Sequence, residues 1–367
     1  MNLKTFLILL FTFTLCNNIK SQNIELRVNE NVELMSIISR MAGYPEYHMD
    51  IAGQYIKDID QHFSPVKRHP IIPFMKKVRK QYGISFDAVM SMAIHLQKEN
   101  DNFFLIKEEI NTLEKRWNEV DKTQFLNLLT DFYKESCFHD FFEAHTKIYK
   151  KAIQDYKEKV LNHLDISWYE SFYGNKPEEN FSVIIGFCNG GGNYGVNRHA
   201  RNKEKEVFAI VGYFVNKDNE PQYSKDYLPT LIHEFNHSFI NYLLDESKYP
   251  NHVEELEKAA TDLFESSQWA MSKQAYGNWK TMINESLVRA AVICYMLDKK
   301  YPLLEVRKEL SAQIQRNFRW MPELVYLLRK YEKKQSQYTS LKNFYPHIID
   351  FFSDYAEKEN NKLNIMY

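Results

Sequence analysis

Leu231-Ile-His-Glu-Phe-Asn-His-Ser-Phe-Ile240 is the stretch on which the reading of this 367-residue chain turns. Positions four apart lie on one face of a helix. On a helix, His233 and His237 present two imidazoles to one point, and Glu234 stands about 100° round the axis. Two imidazoles with a carboxylate beside them, spaced H-E-x-x-H, suit a divalent metal with a general base next to it. Three letters also arise by chance in a chain this long, so the flanks must decide.

The flanks predict a helix from Tyr227 to Asp245. Leu228, Leu231, Ile232, Phe235, Phe239, Ile240, Leu243 and Leu244 recur with helical period, and no glycine or proline interrupts Thr230 to Tyr249. Pro229 falls in the first turn, where a missing N–H is harmless, and Asp226 is placed to cap. The rival reading, two surface histidines flanking a glutamate, sits poorly on so apolar a helix.

Upstream, Phe181–Phe187 and Glu206–Phe214 are short, β-branched and aromatic, and read as strands. Five of the eleven glycines fall between Gly186 and Gly195. A phosphate loop is excluded, because no lysine followed by Ser or Thr completes it. Two readings stay open: a flexible hairpin connection, or a sheet edge beside the metal cleft where a peptide lies as an added strand.

The N-terminal half predicts helices over Val32–Met41, Phe86–Lys98, Lys122–Ser136 and Phe138–His163, each with charge on one side and apolar residues on the other. Lys107–Lys115 reads as a solvated helix face. His139 and His145, six apart, point to different faces, and the remaining histidines of this half are isolated, so a structural role is expected of them. Composition shifts at Gly174-Asn-Lys-Pro177, which predicts a helical N-terminal region, 22–175, and a second domain, 176–367. The expected class is α+β, mainly helical, with a small mixed sheet beside the motif helix.

Met1–Ser21 reads as a secretory signal peptide: a basic start, ten uncharged residues from Phe6 to Leu15, then Ile19-Lys-Ser21 as a cleavage site. Cys16 lacks the small preceding residue that lipidation favours. With 47 basic and 48 acidic residues the net charge is −1, or −3 once Lys4 and Lys20 leave. Such a balance argues against nucleic acid or an acidic membrane as partner. Cys137, Cys188 and Cys294 are odd in number and widely spaced, so no disulfide framework is expected.

A catalytic zinc site takes three protein ligands and leaves one position open. A histidine close behind the motif is excluded, since Ile240 and Tyr242–Leu244 lack the glycine and histidine of the longer form. Glu285 is the candidate, on a helical stretch through Met282, Leu287, Ala291 and Met296, where a buried acid needs a partner. Glu246, Glu254, Glu255 and Glu265 compete, but belong to the motif helix's end or to a charged stretch, His252–Glu265, that reads as a solvated helix. Arg289, one turn on, is placed to bond Glu285 or a substrate carboxylate.

A paired H-E-x-x-H and a glutamate on a later helix resemble the gluzincin metallopeptidases, with a zincin-like domain. Trp279…Asn284-Glu285 is similar to the third-ligand segment of their aminopeptidase branch, although Glu285 follows His237 at a longer interval, 48 residues. Gly190-Gly-Gly-Asn-Tyr194 loosely resembles that branch's substrate-binding strand, which would give Gly191, Gly192 and Asn193 contacts to substrate. Val32–Glu46 resembles the opening of a family of secreted bacterial proteins carrying this motif. The resemblance implies one catalytic zinc on His233, His237 and Glu285, Glu234 as general base, and a peptide substrate. It also implies an oxyanion donor well after the third ligand, for which Tyr345 and His347 are candidates, with Tyr276 a third. A zinc hydrolase of a non-peptide amide and a non-catalytic peptide-binding protein are the alternatives.

Overall fold

A computed structural model describes residues 24–174, 179–199 and 204–366. The signal peptide and Cys16 lie outside the described residues, as does most of the segment read as a domain boundary. The chain runs β1 (Glu25–Arg27), α1 (Glu30–Met41), α2 (Gln54–His62), α3 (Ile71–Tyr82), α4 (Asp87–His95), β2 (Leu96–Glu99), β3 (Asn102–Leu105), α5 (Lys122–Glu135), α6 (Phe138–Ala144), α7 (Thr146–Lys159) and α8 (Ser167–Tyr173). It continues with β4 (Asn180–Gly186), β5 (Tyr194–His199), β6 (Lys205–Gly212), α9 (Leu228–Ile240), α10 (Pro250–Ser272), α11 (Trp279–Asp298), α12 (Leu303–Gln315), α13 (Met321–Glu332) and α14 (Leu341–Met366). The architecture is α+β and mainly helical, with one small mixed sheet. No described helix is long and apolar enough to cross a membrane.

The sheet has the order β1-β4-β6-β5, in which β1, β4 and β6 are parallel and β5 runs antiparallel along one edge. The near-continuous apolar runs of β4 and β6 reflect burial on both faces. α9 packs on β6 and β5, and α11 packs on α9. α11 is buried almost all round from Met282 to Met296, so it is the central helix of the second half. Asn278 starts it by accepting a hydrogen bond from the Thr281 N–H. The N-terminal region is tied into the same sheet: it supplies β1, and α4 packs against β5.

Several expected boundaries moved. The motif helix ends at Ile240 and tightens into a 3₁₀ turn, Asn241–Leu244. Its entry is set by Ser224, which caps a short 3₁₀ turn over Lys225–Tyr227; Asp226 is inside that turn and is not the cap. The helix expected over Phe138–His163 is broken at His145, whose ring bonds the Phe141 carbonyl and Asp58. The helix expected to reach Lys98 stops at His95, because Asn100 and Asp101 take positive φ and fold β2 back on β3. Lys107–Lys115 forms 3₁₀ turns rather than a helix face. The stretch expected to be a solvated helix, His252–Glu265, is helical within α10 and leaves Glu254, Glu255 and Glu265 exposed, while its other face buries Val253, Leu256, Ala260 and Leu263. Cys137, Cys188 and Cys294 are free thiols.

Candidate metal centre

Three side chains from two helices meet at one point. α9 brings His233 and His237, one turn apart, with ring centroids 5.0 Å from each other and planes nearly perpendicular. α11 brings Glu285, whose Oε2 lies 3.6 Å from His233 Nε2 and whose Oε1 lies 3.5 Å from His237 Nε2. Asn236, between the histidines, fixes the two helices together. Its amide accepts from the Tyr173 hydroxyl at 3.0 Å and donates to the Val288 carbonyl at 3.2 Å.

The donor chemistry fits a small tetrahedral cation. One ligand atom from each residue lies within 4.8 Å of the others. Bonds of about 2.0–2.1 Å at tetrahedral angles put neighbouring ligand atoms roughly 3.3 Å apart, close to the two separations observed. His237 Nδ1 sits 3.1 Å from Asn284 Oδ1 and 3.2 Å from Asn241 Oδ1. Amide oxygens only accept, so Nδ1 carries the proton and the Nε2 lone pair faces Glu285. Burial drives His233 toward its neutral, coordinating form. Burial also opposes ionisation of Glu285, but His233, Arg289 and His237 outweigh it and hold the carboxyl well below its usual range.

Glu234 is buried beside this cluster, and burial, reinforced by Glu285, pushes its carboxyl up to about 7. It meets β5 at Gly195, whose N–H bonds its carboxylate. A Cβ on Gly195 would stand 2.8 Å from the Glu234 carbonyl oxygen and 3.2 Å from its Oε2. That close approach explains the glycine.

A cleft of about 990 Å³ opens over the cluster. Asn193, Tyr194 and Gly195 line it, whereas Gly191 and Gly192 do not. The Asn193 side chain is committed to structure, accepting from the Gly212 N–H at 3.1 Å. Arg289 is nearly buried and bonds Glu285 at 2.8 Å, the Tyr276 hydroxyl at 2.7 Å and Gln313 at 3.1 Å. Tyr276 donates to Glu285 Oε2 at 3.0 Å and lines the cleft. The structure does not bring Tyr345 or His347 there. Tyr345 is buried beside His252, and His347 bonds the Tyr338 hydroxyl. The N-terminal region also reaches the cleft, through Phe86, Asp87, Glu114 and Arg116. Nothing in their local sequence signals this, since it depends on how α4 meets β5.

The chain belongs to the family of a domain of unknown function, DUF4932, whose model matches residues 24–351. No curated protein and no solved structure matches it.

Proposed function

We propose that the protein is a secreted zinc metallopeptidase with a zincin-like catalytic domain. The convergence of His233, His237 and Glu285 beside a buried Glu234, under a cleft bordered by an edge strand, carries this reading. His233, His237 and Glu285 would hold the ion, which when bound supplies water of near-neutral pKa and polarises a carbonyl. Asn284 and Asn241 keep the His237 ring turned toward that point. Glu234 takes the proton of the attacking water and delivers it to the leaving amine, so one carboxyl serves as base and then as acid. β5 borders the cleft as the sheet's edge strand along Asn193–Gly195, where an extended peptide can lie beside it, the Gly195 N–H itself being taken by Glu234. Tyr276 is the candidate oxyanion donor on the cleft wall, and its hydroxyl is oriented by Glu285 and Arg289.

The test pairs wild type with Glu234→Gln. Gln keeps the shape of the side chain but cannot accept the proton, and it leaves the three proposed ligands in place. Both forms should contain one zinc by elemental analysis, while the variant loses at least about a hundredfold in turnover of a mixed peptide library. Equal turnover by the two forms refutes the role of Glu234. Absence of turnover in both, with zinc bound, refutes the peptidase reading and favours the peptide-binding or non-peptide amide alternatives.

A further inference from the structure

We propose that Arg316 anchors a carboxylate of the substrate, so that the cleft selects peptides bearing an anionic group near the scissile bond. The inference rests on the peptidase reading and narrows its substrate class.

It comes from the cations on the cleft walls. Arg116 is neutralised twice, by Asp87 at 2.5 Å and Glu114 at 2.8 Å. The two terminal nitrogens of Arg289 are taken by Glu285, Tyr276 and Gln313, and its remaining donor, Nε, is buried. Arg316 also lines the cleft, is exposed, and pairs with no acid among the described residues. The acids left on the walls do not reach it: Glu309 accepts from Gln313, and Asp226 from the Ser224 hydroxyl. Lys280 also lines the wall and pairs with no acid among the described residues.

Lys280 lies in the first turn of α11, and Arg316 differs from it in what its backbone ties together. It ends α12, its N–H bonding the Ala312 carbonyl. Its own carbonyl accepts from Gln274 Nε2 at 2.9 Å, in the loop that carries Tyr276. Two residues on, Phe318 underlies the Arg289 guanidinium at 5.2 Å. Arg316 thus belongs to the wall that holds Tyr276 and Arg289 against Glu285. A guanidinium fixed at its base and free at its tip is suited to bidentate capture of a carboxylate. The carboxylate can be a peptide's C-terminus or an Asp or Glu side chain, and both present the same chemistry.

The experiment uses matched peptides with a free C-terminus, an amidated C-terminus, and an amidated C-terminus with an added Asp. Turnover is measured on the zinc-loaded full chain. Charge-assisted hydrogen bonds of this kind correspond to about tenfold to a hundredfold, so wild type should favour an anionic peptide over its neutral amide by that factor. Arg316→Gln should bring the ratio near one, Arg316→Lys should restore part of it, and Lys280→Gln should leave it. The arm that shows the preference identifies the source of the carboxylate. No preference in wild type, a preference surviving Arg316→Gln, or one abolished by Lys280→Gln alone overturns the proposal. Titrating the same peptides onto zinc-loaded Glu234→Gln separates the two readings. Arg316-dependent binding without turnover in wild type sinks the peptidase alone, and turnover without Arg316-dependent selectivity sinks the anchor alone.

Discussion

Gly195→Ala places one methyl group between β5 and the motif helix, and its effect can be worked from distances. The new Cβ would stand 2.8 Å from the Glu234 carbonyl oxygen, where ordinary contact begins near 3.4 Å, so strand and helix must part by about 0.6 Å. The obstacle is backbone, held in place by the packing of α9 against α11, and no side-chain rotation relieves it. Overpacking of this kind destabilises by about 1–3 kcal/mol, which lowers Tm by roughly 1–4 °C in a chain of this size. The same shift displaces Glu234, and misplacement on the ångström scale commonly lowers turnover by about a hundredfold. Gly277→Ala is the control, because a Cβ there meets nothing within 4 Å and its φ is not in the left-handed region. That variant should unfold at or slightly above the wild-type temperature, through a smaller unfolded-state entropy. Differential scanning calorimetry of the three proteins, with turnover alongside, decides the matter. A Gly195→Ala protein with wild-type Tm and turnover would refute the packing argument and with it the closeness of β5 to Glu234.

His237→Ala and Glu285→Ala should each lose most bound zinc by elemental analysis, and a chelator should lower the Tm of wild type but not of either variant; zinc retained by Glu285→Ala would transfer the third-ligand role to another acid. Tyr276→Phe should keep its zinc and lose roughly tenfold to a thousandfold in turnover if its hydroxyl meets the oxyanion, whereas unchanged turnover would confine that hydroxyl to orienting Glu285. Glu33 is fully buried, and burial pushes its carboxyl up to about 7 from an ordinary 4.5. Between those values the folded chain keeps a proton on Glu33 that the unfolded chain releases, so the contribution of this group to stability falls as pH rises and levels off above about 7. The loss amounts to about 3 kcal/mol. Glu33→Gln should make the urea-midpoint profile less steep over that range without flattening it, because Glu234, pushed up to about 7, and Glu332, pushed up to about 8, add slopes of the same sign; parallel profiles would refute the assignment.

The centre was legible because its geometry is local to two helices. H-E-x-x-H needs only helical periodicity to bring His233 and His237 together, and Glu285 stood out as an acid on an apolar stretch. β4 and β6 were legible as apolar runs. β5 was not, because glycines and the polar Asn197, Arg198 and His199 obscure its alternation of Tyr194 and Val196. The β2–β3 hairpin carried a signal in Asn100-Asp101, two residues that tolerate positive φ, but the helical period around it dominated the reading. Tyr345 and His347 were proposed from family resemblance and depend on where α14 docks, which no local pattern encodes. The N-terminal contribution to the cleft is equally non-local. Arg198 donates to the Ile94 carbonyl at 2.7 Å and the His199 N–H bonds Thr112, so this half closes part of β5's outer edge and leaves the stretch around Gly195 facing the cleft.

Burial acts on three carboxyl groups here with different outcomes, and the neighbours explain why. Glu33 sits among neutral donors, the Tyr55 hydroxyl and the Phe187 N–H, and holds its proton to about 7. Glu234 is likewise pushed to about 7, because the carboxylate of Glu285 adds to burial and the opposing effects of His237 and Arg289 do not cancel them. Glu285 is the exception, since His233 first, then Arg289, His237 and the Tyr276 hydroxyl, outweigh burial, so it stays ionised. Adjacent carboxyls whose environments push them in opposite directions suit different tasks. A group that gains and loses a proton near neutrality can act as base and then acid, whereas one locked in the charged form can hold a cation. Arg289, in contact with Glu285 at 2.8 Å, adds to that separation from outside the proposed ligand set. Replacing it with Met should weaken zinc retention as well as turnover, where Glu234→Gln affects turnover alone. Equal zinc affinity in wild type and Arg289→Met, measured by competition with a chelator, would break this link.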